Sequence, residues 1–107
     1  MEGKEVIEKI LPNKSAYEKT MYLLYNYKDL KSGEEINAES REVLKVLDKA
    51  IDCIKEDKYI DIIKLTIQGV KTDKIAEMIP LERNTVYKHK RRLIKRISVI
   101  LYGDKAL

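Results

Sequence analysis

The chain contains no tryptophan and no phenylalanine, so its seven tyrosines supply every aromatic side chain. It has one cysteine, one histidine, two prolines and four glycines among its 107 residues. A single cysteine excludes an intramolecular disulfide. Because cysteine and histidine are so scarce, we expect no metal site built from these ligands.

Long apolar runs are also missing. None approaches the roughly 18 residues that a membrane-spanning helix requires. The first ten residues, MEGKEVIEKI, lack the apolar centre of a signal peptide. We therefore expect a cytoplasmic protein with no membrane partner.

Catalytic signatures are absent as well. The chain has no HExxH motif, no glycine-rich phosphate loop and no cluster of cysteine and histidine. Its acidic residues follow helix faces as solvated charge, and we interpret His89 as a structural or surface residue. We expect no enzymatic activity, no catalytic residue, no metal and no cofactor.

Strand signals are weak, because β-branched residues recur at helical spacing and hairpin dipeptides are absent. We predict an all-α bundle of about five to six helices. The first covers residues 4–11 and ends before Pro12, and the second begins at Asn13 or Ser15 and continues to about Lys31. The second helix carries a stripe of Tyr17, Met21, Leu24, Tyr25 and Leu30, flanked by Tyr22 and Tyr27. This stripe is interpreted as core, as an oligomer interface or as a platform for unpaired bases.

Asn37 is predicted to cap a long third helix. Its apolar face consists of Val43, Leu44, Leu47, Ala50, Ile51 and Ile54. We expect Cys53 to pack in the core with this face. Residues 59–68 are apolar enough to predict the most buried helix, with Gly69 just beyond its C-terminus.

Residues 72–97 have the spacing of a helix-turn-helix. The small residue is Ala76, and the sealing apolar positions are Ile75, Ile79, Leu81, Val86, Leu93, Ile94 and Ile97. Pro80 stands where this turn usually needs a residue with positive φ, and proline is fixed near about −65°. We therefore predict that the first helix ends at Met78 or Ile79 and that the second begins near Glu82 or Arg83.

Basic charge is concentrated at this motif. Residues 71–107 carry ten Lys/Arg against four Asp/Glu, and residues 83–96 hold seven Lys/Arg with no acid. Such a segment is either a solvated basic helix or a nucleic-acid-binding helix, and its coincidence with the motif favours double-stranded DNA as partner. The predicted base-contacting residues are Arg83, Asn84, Tyr87, Lys88 and Arg91. The predicted phosphate-contacting residues are Thr72, Lys74, Arg92, Lys95 and Arg96.

The segment YIDIIKLTIQGVKTDKIAEMIPLERNTVYKHKRRLIKRI resembles the region-four helix-turn-helix of bacterial sigma factors. The shared features are an apolar helix, a glycine, an Ile-Ala-Glu first helix and a basic second helix that begins with Thr-Val. The segment LLYNYKDLKSGEEI and the length of the chain are similar to the ArpU-type late-gene regulators of phages and prophages. These resemblances imply a sigma-like, sequence-specific transcriptional regulator at the bacterial nucleoid, with base contacts at Arg83, Asn84 and Lys88.

Residues 1–58 depart from a complete sigma factor, because they lack the aromatic-rich region that grips core polymerase and melts a promoter. We interpret them as a helical support that could also mediate oligomerisation, and residues 59–107 as the DNA-binding region of one compact unit. A homodimer and a contact with RNA polymerase are both compatible with the sequence. The alternative is a DNA-packaging protein such as a small terminase subunit, which also joins a helix-turn-helix to helical segments.

Overall fold

The computed structural model describes residues 3–107, with side chains from Glu5 onward. Over this range the chain is all-helical, which confirms the predicted fold class. Seven α-helices are present: α1 (Gly3–Lys9), α2 (Ala16–Tyr25), α3 (Tyr27–Ser32), α4 (Ala38–Cys53), α5 (Ile60–Ile67), α6 (Thr72–Met78) and α7 (Arg83–Tyr102). A 3₁₀ turn, Gly103–Ala106, follows α7.

The helix count exceeds the predicted five to six because the expected second helix is divided at Asn26. This residue leaves helical geometry, with φ −104° and ψ 8°. Its side-chain amide donates to the Tyr22 carbonyl oxygen at 2.8 Å, and its backbone N–H is directed to the same turn. Asparagine competes in this way with the regular helical ladder, so α2 stops and α3 begins in a new direction.

Helix starts follow the predicted caps. Ser15 and Glu18 form a capping box, in which the Ser15 hydroxyl accepts from the Glu18 N–H at 3.1 Å. Asn37 accepts from the backbone N–H groups of Glu39 and Ser40 at 2.9 and 3.2 Å. Each cap satisfies donors that the first helical turn leaves without a partner.

The end of α5 also follows prediction. Gly69 adopts φ +87°, which costs glycine little because it has no Cβ. The N–H of Gly69 donates to Thr66 and that of Val70 donates to Leu65, both at 3.0 Å. This pair of bonds is a Schellman motif, and it turns the chain from α5 into α6.

Most of the core lies between α7 and the N-terminal helices, so residues 5–58 and 59–107 share it. The fully or almost fully buried members include Ile7, Leu23, Leu24, Val43, Leu47, Ile54, Ile63, Leu93, Ile94 and Ile97. α7 continues beyond the predicted end at Ile97, because Leu101 and Tyr102 extend its buried face. The Tyr102 hydroxyl donates to the Ile7 carbonyl oxygen at 3.1 Å, and burial raises the pKa of Tyr102 to about 12.

Two predictions about the core were wrong. Cys53 is exposed, because the buried face of α4 passes through Ala50 and Ile54 and leaves Cys53 to one side. Tyr25 is 51 % exposed, whereas Leu23, which was not assigned to the stripe, is fully buried. The buried face of α2 therefore includes Leu23 beside the predicted Leu24, and Tyr25 lies outside it, where its hydroxyl group can hydrogen-bond to water.

No helix among the described residues combines the length and the apolar composition that crossing a membrane requires.

Candidate nucleic-acid interface

A second, smaller core holds α5, α6 and α7 together. Ile62, Ile75 and Val86 are completely buried in it, one from each helix. Around them pack the half-buried side chains of Tyr59, Leu65, Val70, Ala76, Ile79 and Leu81. The predicted positions Ile75, Ala76, Ile79, Leu81 and Val86 therefore meet as expected, whereas Leu93, Ile94 and Ile97 pack in the main core.

The turn between α6 and α7 accommodates Pro80 without positive φ. α6 ends at Met78, and Ile79 is extended, with φ −106° and ψ 126°. The N–H of Leu81 donates to the Ile79 carbonyl oxygen at 2.6 Å across Pro80. A bond between residues two apart is an inverse γ-turn, whose central residue has φ near about −75°, within the range that proline allows. The predicted boundaries of both helices are confirmed.

Predicted base-contacting residues lie along one exposed stripe of α7. Asn84, Lys88 and Arg91 are exposed and recur at intervals of four and three residues. Lys95 continues the same stripe one turn later. Lys88 and Arg91 form no ion pair with any side chain from residue 5 onward, so their charges face solvent.

Arg83 and Tyr87 lie at one edge of this stripe. The Arg83 Nε atom is 2.7 Å from the Asp73 carboxylate on α6. The guanidinium carbon also lies 5.6 Å from the centre of the Tyr87 ring, which is half-buried. Arg83 is thus engaged both with Tyr87 and with Asp73 on α6.

Asp57 binds α7 at the edge opposite to Arg83 and Tyr87. Its carboxylate accepts two hydrogen bonds from Arg92, at 2.8 and 3.0 Å, and one from Arg96 at 3.0 Å. It also accepts from the backbone N–H of Tyr59 at 2.9 Å. The Arg92 hydrogen bonds hold the pKa of Asp57 well below its usual range. Two of the predicted phosphate-contacting arginines are therefore tied to the loop between α4 and α5.

His89 packs beside this cluster. Its ring stacks on Tyr59 with centroids 3.7 Å apart and 18° between the planes. The Arg92 Nε–H donates to His89 Nδ1 at 3.2 Å, so the imidazole is neutral and accepts at that nitrogen. Burial, followed by the charge of Arg92, lowers the pKa of His89. His89 therefore has a structural role, as was predicted from the sequence.

The remaining predicted phosphate-contacting residues have varied surroundings. Lys74 is exposed and pairs with Glu77 at 3.2 Å. Lys95 donates to the carbonyl oxygen of Ala106 in the 3₁₀ turn. Thr72 is buried, and its hydroxyl oxygen accepts from Lys90 Nζ at 2.8 Å. Lys74 and Lys95 are therefore exposed cations with one partner each, whereas Thr72 is an uncharged, buried residue.

Asp57 and Lys90 were not singled out by the sequence. Lys90 lies four residues after Val86 on the apolar face of α7, and a lysine on such a face is a signal that could have been used. Asp57 left no comparable signal, because its partner Arg92 is 35 residues away in the chain. The seven cations of residues 83–96 therefore divide between internal partners and solvent, a division that their spacing does not reveal.

Comparison with protein-family models, with curated proteins and with solved structures finds no match to this chain.

Proposed function

We propose that this protein is a sequence-specific, double-stranded-DNA-binding transcriptional regulator that reads the major groove with the N-terminal half of α7. The observation that carries the proposal is the exposed stripe of Asn84, Lys88 and Arg91 on a helix anchored along its opposite face. A helix supported in this way presents its outer side chains rigidly, and a B-DNA major groove admits one helix.

The chemistry of the stripe suits base edges. Lysine and arginine donate to the O6 and N7 acceptors of guanine, and asparagine pairs with N6 and N7 of adenine. Arg83 can join these contacts if it exchanges Asp73 for a base, which is a small change because that ion pair is exposed on both sides. The proposed base contacts are Arg83, Asn84, Tyr87, Lys88 and Arg91.

The proposed phosphate contacts are graded by their existing partners. Lys74 is the most available, because its pair with Glu77 is exposed on both sides. Arg92 and Arg96 share one carboxylate, so their net charge with Asp57 is +1 and they still attract a phosphate. Lys95 meets a phosphate only if it leaves the Ala106 carbonyl oxygen.

The resemblance to sigma region four supports transcription as the process in which the DNA contact is used. We propose a bacterial regulator of phage or prophage origin, located at the nucleoid in the cytoplasm. Contact with RNA polymerase and homodimerisation belong to the same proposal. Catalysis has no part in it.

The decisive experiment is a binding selection in which the purified protein is mixed with random duplex DNA. We expect enrichment of one short sequence. In competition assays on that sequence, Arg83→Ala and Lys88→Ala should each reduce discrimination by about 1–3 kcal/mol at one position of the site. Lys45→Ala, which removes an exposed lysine from α4, is the matched control and should leave discrimination unchanged.

Two outcomes would count against the proposal. Selection without any enriched sequence would contradict specific DNA binding. A closed ring detected by light scattering would instead favour the packaging role that a small terminase subunit performs. A monomer or a dimer agrees with transcriptional control, because dimers match two half-sites about one helical turn apart.

A further inference from the structure

Lys90 is a buried cation that lacks an acidic partner. Lys90 is only 6 % exposed. Its Nζ atom donates to the Thr72 hydroxyl at 2.8 Å and lies 4.6 Å from the centre of the Tyr25 ring. Across the described side chains it forms no ion pair. Buried charges in proteins are normally paired, because removing an ammonium from water is expensive.

The ammonium borders an open groove. This groove has a volume of about 380 Å³ and lies between the end of α2, the α5–α6 turn and the first half of α7. Tyr25, Tyr87 and Lys71 are among the residues that line it. Lys90 has three donors, of which Thr72 takes one, so further donors are available to a ligand in the groove.

Charge in the groove favours an anion. Its lining includes Lys71, Lys90 and one carboxylate, that of Asp73. Asp73 is neutralised by Arg83 at 2.7 Å in this structure, and if Arg83 moves to a base, the two lysines still outnumber the one carboxylate. The two lysines therefore leave a net positive charge in a partly desolvated place, where Coulomb attraction exceeds its value in water.

The hydroxyl groups favour phosphate among anions. Thr72 accepts from Lys90, so its own proton is directed elsewhere, and no described residue accepts it. The phenol groups of Tyr25 and Tyr87 can also donate. A phosphate group offers several strong acceptor oxygens to such a set, and lysine binds it as a point charge.

We propose that this groove is a phosphate-binding site, in which Lys90 supplies the charge and Thr72 donates from its hydroxyl group. The phosphate comes either from a small phosphorylated molecule or from the DNA backbone. The second source rests on the proposed function, and the first goes beyond it. Lys90 is then a ligand-binding residue, and the bound phosphate supplies the negative partner that its buried ammonium otherwise lacks.

The first arm of the test measures thermal unfolding in inorganic phosphate and in sodium chloride of equal ionic strength. At ten times the dissociation constant, phosphate should raise Tm by about 5–10 °C. Lys90→Met keeps an unbranched side chain that is one atom shorter and uncharged, and it should abolish this rise. Lys45→Met, with the same charge change on α4, should retain it, which removes general salt effects on stability.

The second arm measures the salt dependence of DNA binding. If a backbone phosphate occupies the groove, Lys90→Met should make the negative slope of log K against log salt shallower by about 0.9, and Lys45→Met should not. Thr72→Val removes only the hydroxyl group and tests both arms if Lys90→Met does not fold. Its expected effect on the phosphate-induced rise in Tm has the same sign, and in the second arm it should lower DNA affinity without changing the salt slope, because threonine carries no charge.

The outcomes separate this site from the proposed function. A phosphate shift lost in Lys90→Met supports the site with free phosphate, even if the protein binds no DNA. A changed slope without a phosphate shift supports the site with the DNA backbone. If the protein selects a DNA sequence but neither arm responds to Lys90→Met or Thr72→Val, the site is refuted and the proposed function stands. If phosphate does not raise Tm and the protein binds no DNA, both proposals fail.

Discussion

Replacing Asp57 with asparagine should destabilise the fold, because it weakens the bonds that attach α7 to the loop between α4 and α5. The substitution keeps the size of the side chain but removes its charge and one of its two acceptor oxygens. Asparagine can still accept from the Tyr59 N–H, as Asp57 does at 2.9 Å. It cannot accept all three guanidinium hydrogen bonds from Arg92 and Arg96.

The magnitude follows from the exposure of the three partners. The Asp57 side chain is 10 % exposed, whereas those of Arg92 and Arg96 are 39 % and 48 % exposed. A buried charged hydrogen bond contributes about 1.5–3 kcal/mol, and an exposed ion pair contributes about 0–1 kcal/mol. We expect the free energy of unfolding to fall by about 1.5 kcal/mol, since water reaches both arginines. For a domain of this size, Tm should fall by about 6–10 °C.

Urea denaturation of both proteins at pH 7 measures the difference. Asp52→Asn is the matched control, because Asp52 loses the same charge from a pair in which Lys55 and Asp52 are 60 % and 70 % exposed. We expect this control to change the free energy of unfolding by less than about 0.5 kcal/mol.

The pH dependence provides a second check. The pKa of Asp57 is lowered by folding, so its contribution is present above the unfolded value of about 3.9 and is lost as pH falls toward the folded pKa. The stability gap between the native protein and Asp57→Asn should be constant from pH 5 to 7 and should narrow below about pH 4. Equal effects of Asp57→Asn and Asp52→Asn, or a gap that does not change in acid, would refute the reasoning.

Gly69→Ala should lower the free energy of unfolding, measured by urea denaturation, by about 1 kcal/mol, because φ at this position is +87°. Gly33→Ala should leave that free energy unchanged, because φ is −94° and the added Cβ meets no close contact. Equal losses would contradict the conclusion that the backbone at residue 69 requires glycine. His89 is the only histidine, so a proton NMR titration identifies it directly, and its pKa should lie below 6.5. Folding stability should accordingly rise with pH through the interval between that value and 6.5, because the unfolded chain binds the extra proton there. Pro80→Gly should lower the free energy of unfolding by about 1 kcal/mol, since glycine gives the unfolded chain more conformational freedom. If calorimetry shows that Pro80→Gly is more stable than the native protein, Pro80 is strained.

Local features of this protein were predictable because their causes lie within a few residues. Ser15 and Asn37 start helices by binding backbone donors two or three positions away. Gly69 ends α5 because the chain needs positive φ there. Pro80 ends α6 because its own ring limits the turn. Each of these effects acts over one helical turn, so the order of residues is sufficient to predict it.

The direction of a helix face is less local. The stripe that includes Tyr25 has acceptable spacing, yet the structure buries Leu23 and exposes Tyr25. Cys53 was misassigned for the same reason. When more apolar side chains are present than one face can hold, the neighbouring helices decide which of them are buried.

The sequence by itself determined that this protein is all-α, where most of its helices begin, and that a basic helix follows a helix and a tight turn. Only the tertiary structure decided how that basic charge is distributed: Arg92 with Asp57, Arg83 with Asp73, and Lys90 with Thr72. These partners lie between 10 and 35 residues apart, as their residue numbers give, and they meet because separate apolar faces pack together. Spacing along a helix is set by the backbone, whereas contact between helices depends on how the whole core closes.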